Sequence, residues 1–226
     1  MAYLSSSQST FISCSENSSL DSILVSINVY ILGVISDPEA WISLKQKCIT
    51  LLSIEEDNTL FEFSSEHSAL SNLYWGIDSI EASIHPECSE EKTSRLRNSE
   101  RMLQMPALLD EQGTTTSGVP NTVLISFSYF YLSIVSYLQG DSLQSTLHFL
   151  QSVLVSPEIV RTDIAPELCE SIFFTPGVYK SDEEIREIAR KYKYRATYYQ
   201  VMSYGETHQP PRECIETPVR RQKEYG

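Results

Sequence analysis

With 226 residues, 41% of them hydrophobic, the chain has the size of one domain with a sizeable apolar core, which excludes wholesale disorder. The formal net charge is −13, and residues 1–90 hold 13 acids against two bases, Lys45 and Lys47. Nucleic acid and membrane are therefore poor partners for this front half. Five cysteines (Cys14, Cys48, Cys88, Cys169, Cys214) are odd in number and far apart, which suits free thiols in a reducing compartment. The apolar run Ile23–Ile35 is too short to span a bilayer and has no basic segment before it, so the expected location is cytoplasm or nucleus.

Residues 1–19, eight of them serine, read as a flexible arm. The run Leu20–Ile35 suits helix or strand; Asp21 at its start and the lack of a hairpin partner favour helix. Asp37-Pro38 writes an N-cap with proline at the first helical position, and Trp41, Leu44, Cys48, Leu51 and Leu52 follow at helical spacing. After the acidic break Glu55–Asn58, a third helix is expected from about Ser64 to Ile84, stopped by His85-Pro86. A more polar helix, about Glu87–Leu109, offers Leu96, Met102, Leu103 and Leu108 for burial, and Pro106 near its end should kink or terminate it. Past a loop at Gln112–Ser117, the helix Pro120–Gln139 is apolar almost all round, as a central helix would be. Gly140 breaks it and Asp141 caps the next helix, to about Val155. A short turn at Pro157–Arg161 leads to another helix, about Pro166–Phe174. The last helix, Asp182–Tyr204, starts on three acids and carries its bases later, as the helix dipole favours. Residues 205–226 read as a disordered tail, and no strand pattern survives. The expected fold is all-α, a helical bundle or solenoid-like domain over residues 20–204.

Catalytic chemistry is hard to find. His67, His85, His148 and His208 each lack a second His or Cys three or four residues away on the same helical face (Cys88 follows His85 only across the Pro86 break), no serine sits in a glycine-flanked elbow, and no glycine-rich phosphate loop occurs. No catalytic, cofactor or metal residue is therefore assigned. Arg186, Arg190, Lys191, Lys193 and Arg195 interleave with Tyr192, Tyr194, Tyr198 and Tyr199, a pattern that can bind RNA. Acids at 183, 184 and 187 make a salt-bridged exposed face the simpler reading.

Tyr137, Gly140, Asp141, Ser145, Phe149, Ser152 and Pro157 are spaced like one tetratricopeptide-type helix pair: an aromatic, a Gly-Asp turn, small residues where helices cross, and a closing proline. One such unit cannot bury its own face, so neighbouring helices must cover it.

Several blocks in this order resemble the N-terminal helical domain of the plant Cerberus/LIN-type E3 ubiquitin ligases. They are Leu44–Cys48; Ser68–Asp78 with Asn72-Leu73, Trp75 and Gly76-Ile77; Arg95-Leu96 and Glu100–Gln104; Gly118-Val119-Pro120-Asn121; Arg161, Asp163 and Ala165–Leu168 with Pro166 and Glu167; and Tyr198-Tyr199. The resemblance implies that such a domain precedes a U-box, armadillo-like helices and WD40 repeats in full-length ligases. No segment here reads as a U-box or a propeller blade, and Thr175–Ser181 is a shorter link than the family's. The expected role is a non-catalytic helical interaction domain, with ubiquitin-pathway proteins or a second copy as partner. The alternative is part of an active ligase whose U-box lies outside this chain. Trp75, Gly76, Gly118, Pro120, Asn121, Tyr137, Gly140, Phe149, Arg161, Asp163, Pro166 and Glu167 are the signature residues expected to serve structure or partner binding.

Overall fold

The computed structural model describes residues 14–52, 68–84, 89–113, 115–116, 118–174 and 180–207. The arm up to residue 13, the acidic break at 55–58, His67, the His85-Pro86 stop, most of the 175–181 link and the tail from His208 lie outside the described residues. Helices α1 (Cys14–Ser36), α2 (Pro38–Leu52), α3 (Ser68–Ile84) and α4 (Ser89–Ala107) lead to a small ladder of β1 (Thr115–Thr116) and β2 (Val119–Pro120). Helices α5 (Asn121–Leu138), α6 (Ser142–Val155) and α7 (Pro157–Ile159) follow, then a π-helical turn at Val160–Ile164, α8 (Pro166–Phe173) and α9 (Asp182–Thr207). The domain is all-α and solenoid-like.

Helix α5 is the centre, packed by α6, α4, α3 and α1. Phe127, Phe130 and Tyr131 on α5, Phe149 on α6 and Phe173 on α8 are fully buried, each contributing roughly 1.5–3 kcal/mol through apolar burial. Trp41 meets Tyr131 edge-on at 6.1 Å, bringing α2 into the same layer. By length and composition α5 could cross a membrane, but 72% of it is buried inside this domain, which accounts for its apolarity.

Serines let these helices approach. Ser152 Oγ donates to the Ser126 carbonyl at 2.7 Å across the α5–α6 crossing, and Ser99 Oγ donates to the Gly76 carbonyl at 2.8 Å between α4 and α3. The hairpin turn is a Schellman arrangement. Gly140 has φ +87° and donates to Tyr137 O, while Asp141 N–H donates to Ser136 O, both at 2.9 Å. The Asp141 carboxylate then accepts the Gln144 N–H at 2.8 Å, the expected N-cap.

Several boundaries differ from expectation. Helix α1 begins at Cys14, inside the expected arm, because polar residues extend a helix cheaply once its apolar turns have nucleated it. Helix α9 runs through Gly205 to Thr207, since one glycine costs only about 1 kcal/mol and does not by itself end a helix. The β1–β2 ladder pairs Thr115 with Pro120 and Thr116 with Val119, where no strand was expected. Gly118, at φ +78°, turns the chain there and buried Val119 anchors it. Leu108, expected inside, is 80% exposed. Helix α4 stops one residue past Pro106, and Leu108 and Leu109 donate to the Met105 and Pro106 carbonyls in a tighter turn. That turn rotates Leu108 outward and leaves Leu109 to pack on the core.

Candidate interaction surface

The corner between α1 and α2 is flanked by two surface clefts. Pro38 pushes Asp37 out of helical geometry, and the two helices meet there at 97°. Asp37 holds the corner from both sides. Its N–H donates to Gly33 O at 3.1 Å, and its carboxylate accepts the Glu39 N–H at 2.9 Å. The π-turn and the start of α8 lie against this corner. Tyr30 Oη donates to Ile164 O at 3.1 Å, and burial, helped by the charge of Glu167, pushes that hydroxyl's pKa up to about 12.

Two clefts result, on either side of α2. One, of about 550 Å³, lies between the outer face of α2 (Glu39, Ile42, Gln46, Leu51) and Asp163 of the π-turn. The other, of about 420 Å³, fills the angle of the corner between Tyr30, Asp37, Ile164, Pro166 and Glu167. They share Ser43 and Lys47, so α2 forms a ridge between them. Ile42 is 60% and Leu51 40% exposed, giving the outer cleft an apolar floor. Asp37, Glu39, Asp163 and Glu167 surround the pair with only Lys47 as a lining base. Lys45 faces the other way. It pairs with Asp78 and Glu81 of α3 at 2.6 Å each and sits 5.7 Å over the Tyr74 ring. Burial opposes its charge, but the two carboxylates together hold its pKa above the ordinary lysine value.

Eleven of the twelve signature residues separate into three groups, and Trp75 stands apart on the exposed side of α3. Gly118, Pro120 and Asn121 organise the start of α5. Buried Asn121 accepts from Thr116 Oγ1 at 2.7 Å and donates to Asp110 O at 3.0 Å, clamping the preceding loop. Gly76, Tyr137, Gly140 and Phe149 sit at helix crossings and the hairpin. A Cβ on Gly76 would stand 2.8 Å from the Leu103 side chain, so only glycine lets α3 and α4 meet there. Arg161 faces Asp182 at 3.4 Å and ties the π-turn to α9, while Asp163, Pro166 and Glu167 line the clefts. Trp75 is 41% exposed on α3, whereas Trp41 is buried. Glu39 and Ile42 were not singled out from the sequence; Lys47 entered only as a front-half base and within the Leu44–Cys48 block, and Leu51 was read as part of the apolar stripe although it is 40% exposed. The available signal was that Ile42 falls off the stripe of Trp41, Leu44 and Cys48.

His148 bridges the hairpin. Its ring lies 3.1 Å from Ser136 Oγ and 2.9 Å from Gln144 Nε2. Burial lowers its pKa; a hydrogen bond to the Leu132 backbone and the charges of Glu100 and Asp141 offset this in part, and Lys193 adds to the lowering. Ser136 is 4% exposed and both ring nitrogens are engaged, so the pair ties α5 to α6. Cys48 and Cys169 are buried free thiols whose pKa values burial raises. Among the described residues, no three His, Cys, Asp or Glu side chains gather as a metal site requires.

Helices stacked through small residues around a central apolar helix, with a cleft on the outside, define a helical-repeat scaffold. The chain belongs to the LIN-like E3 ubiquitin-protein ligase ARM-repeat family, whose model matches residues 18–183. It is similar to the E3 ubiquitin-protein ligase LIN named in Medicago truncatula, 36% identical over 132 residues. The LIN-1 and LIN-2 proteins of Lotus japonicus are each 34% identical over 133 residues. Each match covers 57% of this chain and 9% of the relative, so the chain corresponds to a small part of those proteins. No solved structure matches. The resemblance drawn from sequence placed armadillo-like helices beyond this domain, whereas the family is itself described as ARM repeat. The tetratricopeptide-like spacing of 137–157 thus describes one hairpin within an armadillo-type stack.

Proposed function

We propose that this chain is a non-catalytic protein-binding scaffold domain of an E3-ligase-type protein, and that its contact surface is the pair of clefts beside α2. The observation that carries this reading is the apolar floor of Ile42 and Leu51 within a polar, acidic rim. Grooves of that composition take partner segments through a few apolar anchors. A photo-crosslinking residue placed at Ile42 is expected to form adducts with a purified ubiquitin-pathway partner. The same residue at Leu108, exposed but outside the clefts, is expected to form none. Equal labelling from both positions, or none from Ile42, would refute the assignment. Incubated with ubiquitin, its activating and conjugating enzymes and ATP, the chain alone should build no ubiquitin chains.

A second reading rests on the 9% share of the relatives that this chain matches. On that view it is one part of a working ligase whose conjugating-enzyme-binding region is encoded elsewhere. A transcript joining this sequence to a downstream U-box would establish it, and a transcript ending at codon 226 would count against it.

A further inference from the structure

The two halves of helix α9 are held to the body in different ways. The first half buries Ile185 and Ala189, Arg186 Nε donates to Leu154 O at 3.3 Å, and Arg161 faces Asp182 at 3.4 Å. Between Lys193 and Met202 only Ala196 is buried, against Leu20 and Leu147, while Tyr194, Tyr198, Val201 and Met202 are exposed. With so little apolar burial, side-chain hydrogen bonds to α6 carry a large share of the attachment of this outer half. Lys193 Nζ donates to Gln151 Oε1, and Gln200 Nε2 donates to Gln144 Oε1 at 3.1 Å.

Gln144 also faces His148, so a line of side chains joins α9 to the α5–α6 hairpin. The Nδ1 edge of the ring lies against α5, 3.1 Å from Ser136 Oγ, and the hydrogen bond to the Leu132 carbonyl one turn earlier places the ring proton on that edge. Nε2 is then the acceptor and takes a proton of Gln144 Nε2 at 2.9 Å. The line therefore has one polarity: Gln200 donates to Gln144, Gln144 donates to His148, and His148 donates to α5. A proton added to Nε2 turns that acceptor into a donor. Gln144 must then rotate its amide to offer oxygen to the ring, which sets its NH2 group against that of Gln200. Gln200 loses its acceptor, and α9 loses its outermost tie to α6.

We propose that His148 is an acid-operated latch for the outer half of α9: protonation of its ring reverses the Gln144–Gln200 relay and frees residues 193–202 from α6, while the α5–α6 hairpin and the first half of α9 stay folded. The other titratable groups facing the ring are Tyr129 of α5, with its centroid 6.2 Å away, Glu100 of α4, Asp141 of the hairpin turn and Lys193 of α9. Burial raises the pKa of Tyr129, which stays neutral throughout. Glu100 and Asp141 favour the charged ring, and Lys193 opposes it and is itself repelled by it. The neutral ring closes the latch. Burial keeps the ring neutral until the pH falls below the ordinary histidine value, so the latch is shut at neutral pH and opens in acid.

Amide hydrogen exchange of the full chain, read by mass spectrometry and corrected for the intrinsic pH dependence of exchange, tests this. Between about pH 7.5 and about pH 5, protection over residues 193–202 should fall about tenfold, as the loss of one good hydrogen bond would give. Residues 183–190 and the α5–α6 hairpin should keep theirs. His148→Gln supplies an amide without a titrating ring, so its protection over 193–202 should not change with pH. Gln200→Leu leaves His148 in place and cuts the relay, so its acid response should be smaller than that of the wild type. If His148→Gln fails to fold, the titration of the His148 ring in the wild-type chain, followed by proton NMR, takes its place, and its midpoint should coincide with the loss of protection. Equal protection of 193–202 at both pH values, a loss shared equally by 183–190, an acid response kept in full by either variant, or separated midpoints would overturn the latch.

Discussion

Helices α5 and α2 are both rich in large apolar residues, yet they do opposite work. Helix α5 is covered on several sides: Phe127, Phe130, Tyr131 and Ile134 are sealed, and its serines are buried spacers that set helix separation. Helix α2 buries Trp41, Leu44 and Cys48 on one side and leaves Ile42 and Leu51 open on the other. The chemistry of the residues is similar; the number of covered faces is not. A second apolar stripe on a helix becomes core when neighbours surround it and a contact surface when it lies at the edge of the stack.

Truncating the sealed side should give the largest effect. Phe149→Ala removes a fully buried ring from the α5–α6 interface and is expected to destabilise the domain by about 3–5 kcal/mol, read as a fall in the denaturation midpoint. Gly76→Ala tests close packing rather than volume lost. Helix propensity alone favours alanine by about 1 kcal/mol. The added carbon would stand 2.8 Å from buried Leu103, so a net loss of about 1–2 kcal/mol is expected; a stabilised variant would show that α3 and α4 can separate freely.

His148 sharpens the comparison through pH. Its folded pKa is lowered, chiefly by burial, so the native state binds fewer protons than the unfolded chain. Its stabilising contribution is present above the unfolded value of about 6.5 and is lost as pH falls from there through the folded value. Urea midpoints measured down through this range should drop for the wild type, and His148→Gln should flatten that part of the profile. An unchanged slope would place the acid sensitivity elsewhere. The smallest effect belongs to the open side. Ile42→Lys should alter stability by no more than about 0.5 kcal/mol, while abolishing contacts made through the cleft. A large loss of stability would mean that this side of α2 belongs to the core.

Much of the scaffold was legible because its signals are local. Asp37-Pro38 wrote the corner, Gly140-Asp141 wrote the hairpin, and the all-round apolarity of α5 announced a central helix. Signature residues were harder to sort. Gly76 and Trp75 are neighbours in sequence, but one faces the α3–α4 crossing and the other is exposed, a distinction made by helix rotation against a partner. Leu108 was misjudged because its side depends on how the chain leaves α4 after Pro106. The β1–β2 ladder is too short to show alternation, and it forms because Gly118 turns the chain and Val119 finds the core.

By itself the sequence determined an all-helical scaffold, its corner and hairpin turns, and its family, since caps, prolines, glycines and helical periodicity act within a few residues. The tertiary structure decided which apolar faces stay open and which acids gather around them. Glu39 and Asp163 share a cleft although 124 positions separate them, because the 97° bend at Asp37 lays α2 beside the π-turn. That proximity comes from long-range packing, which no local pattern encodes.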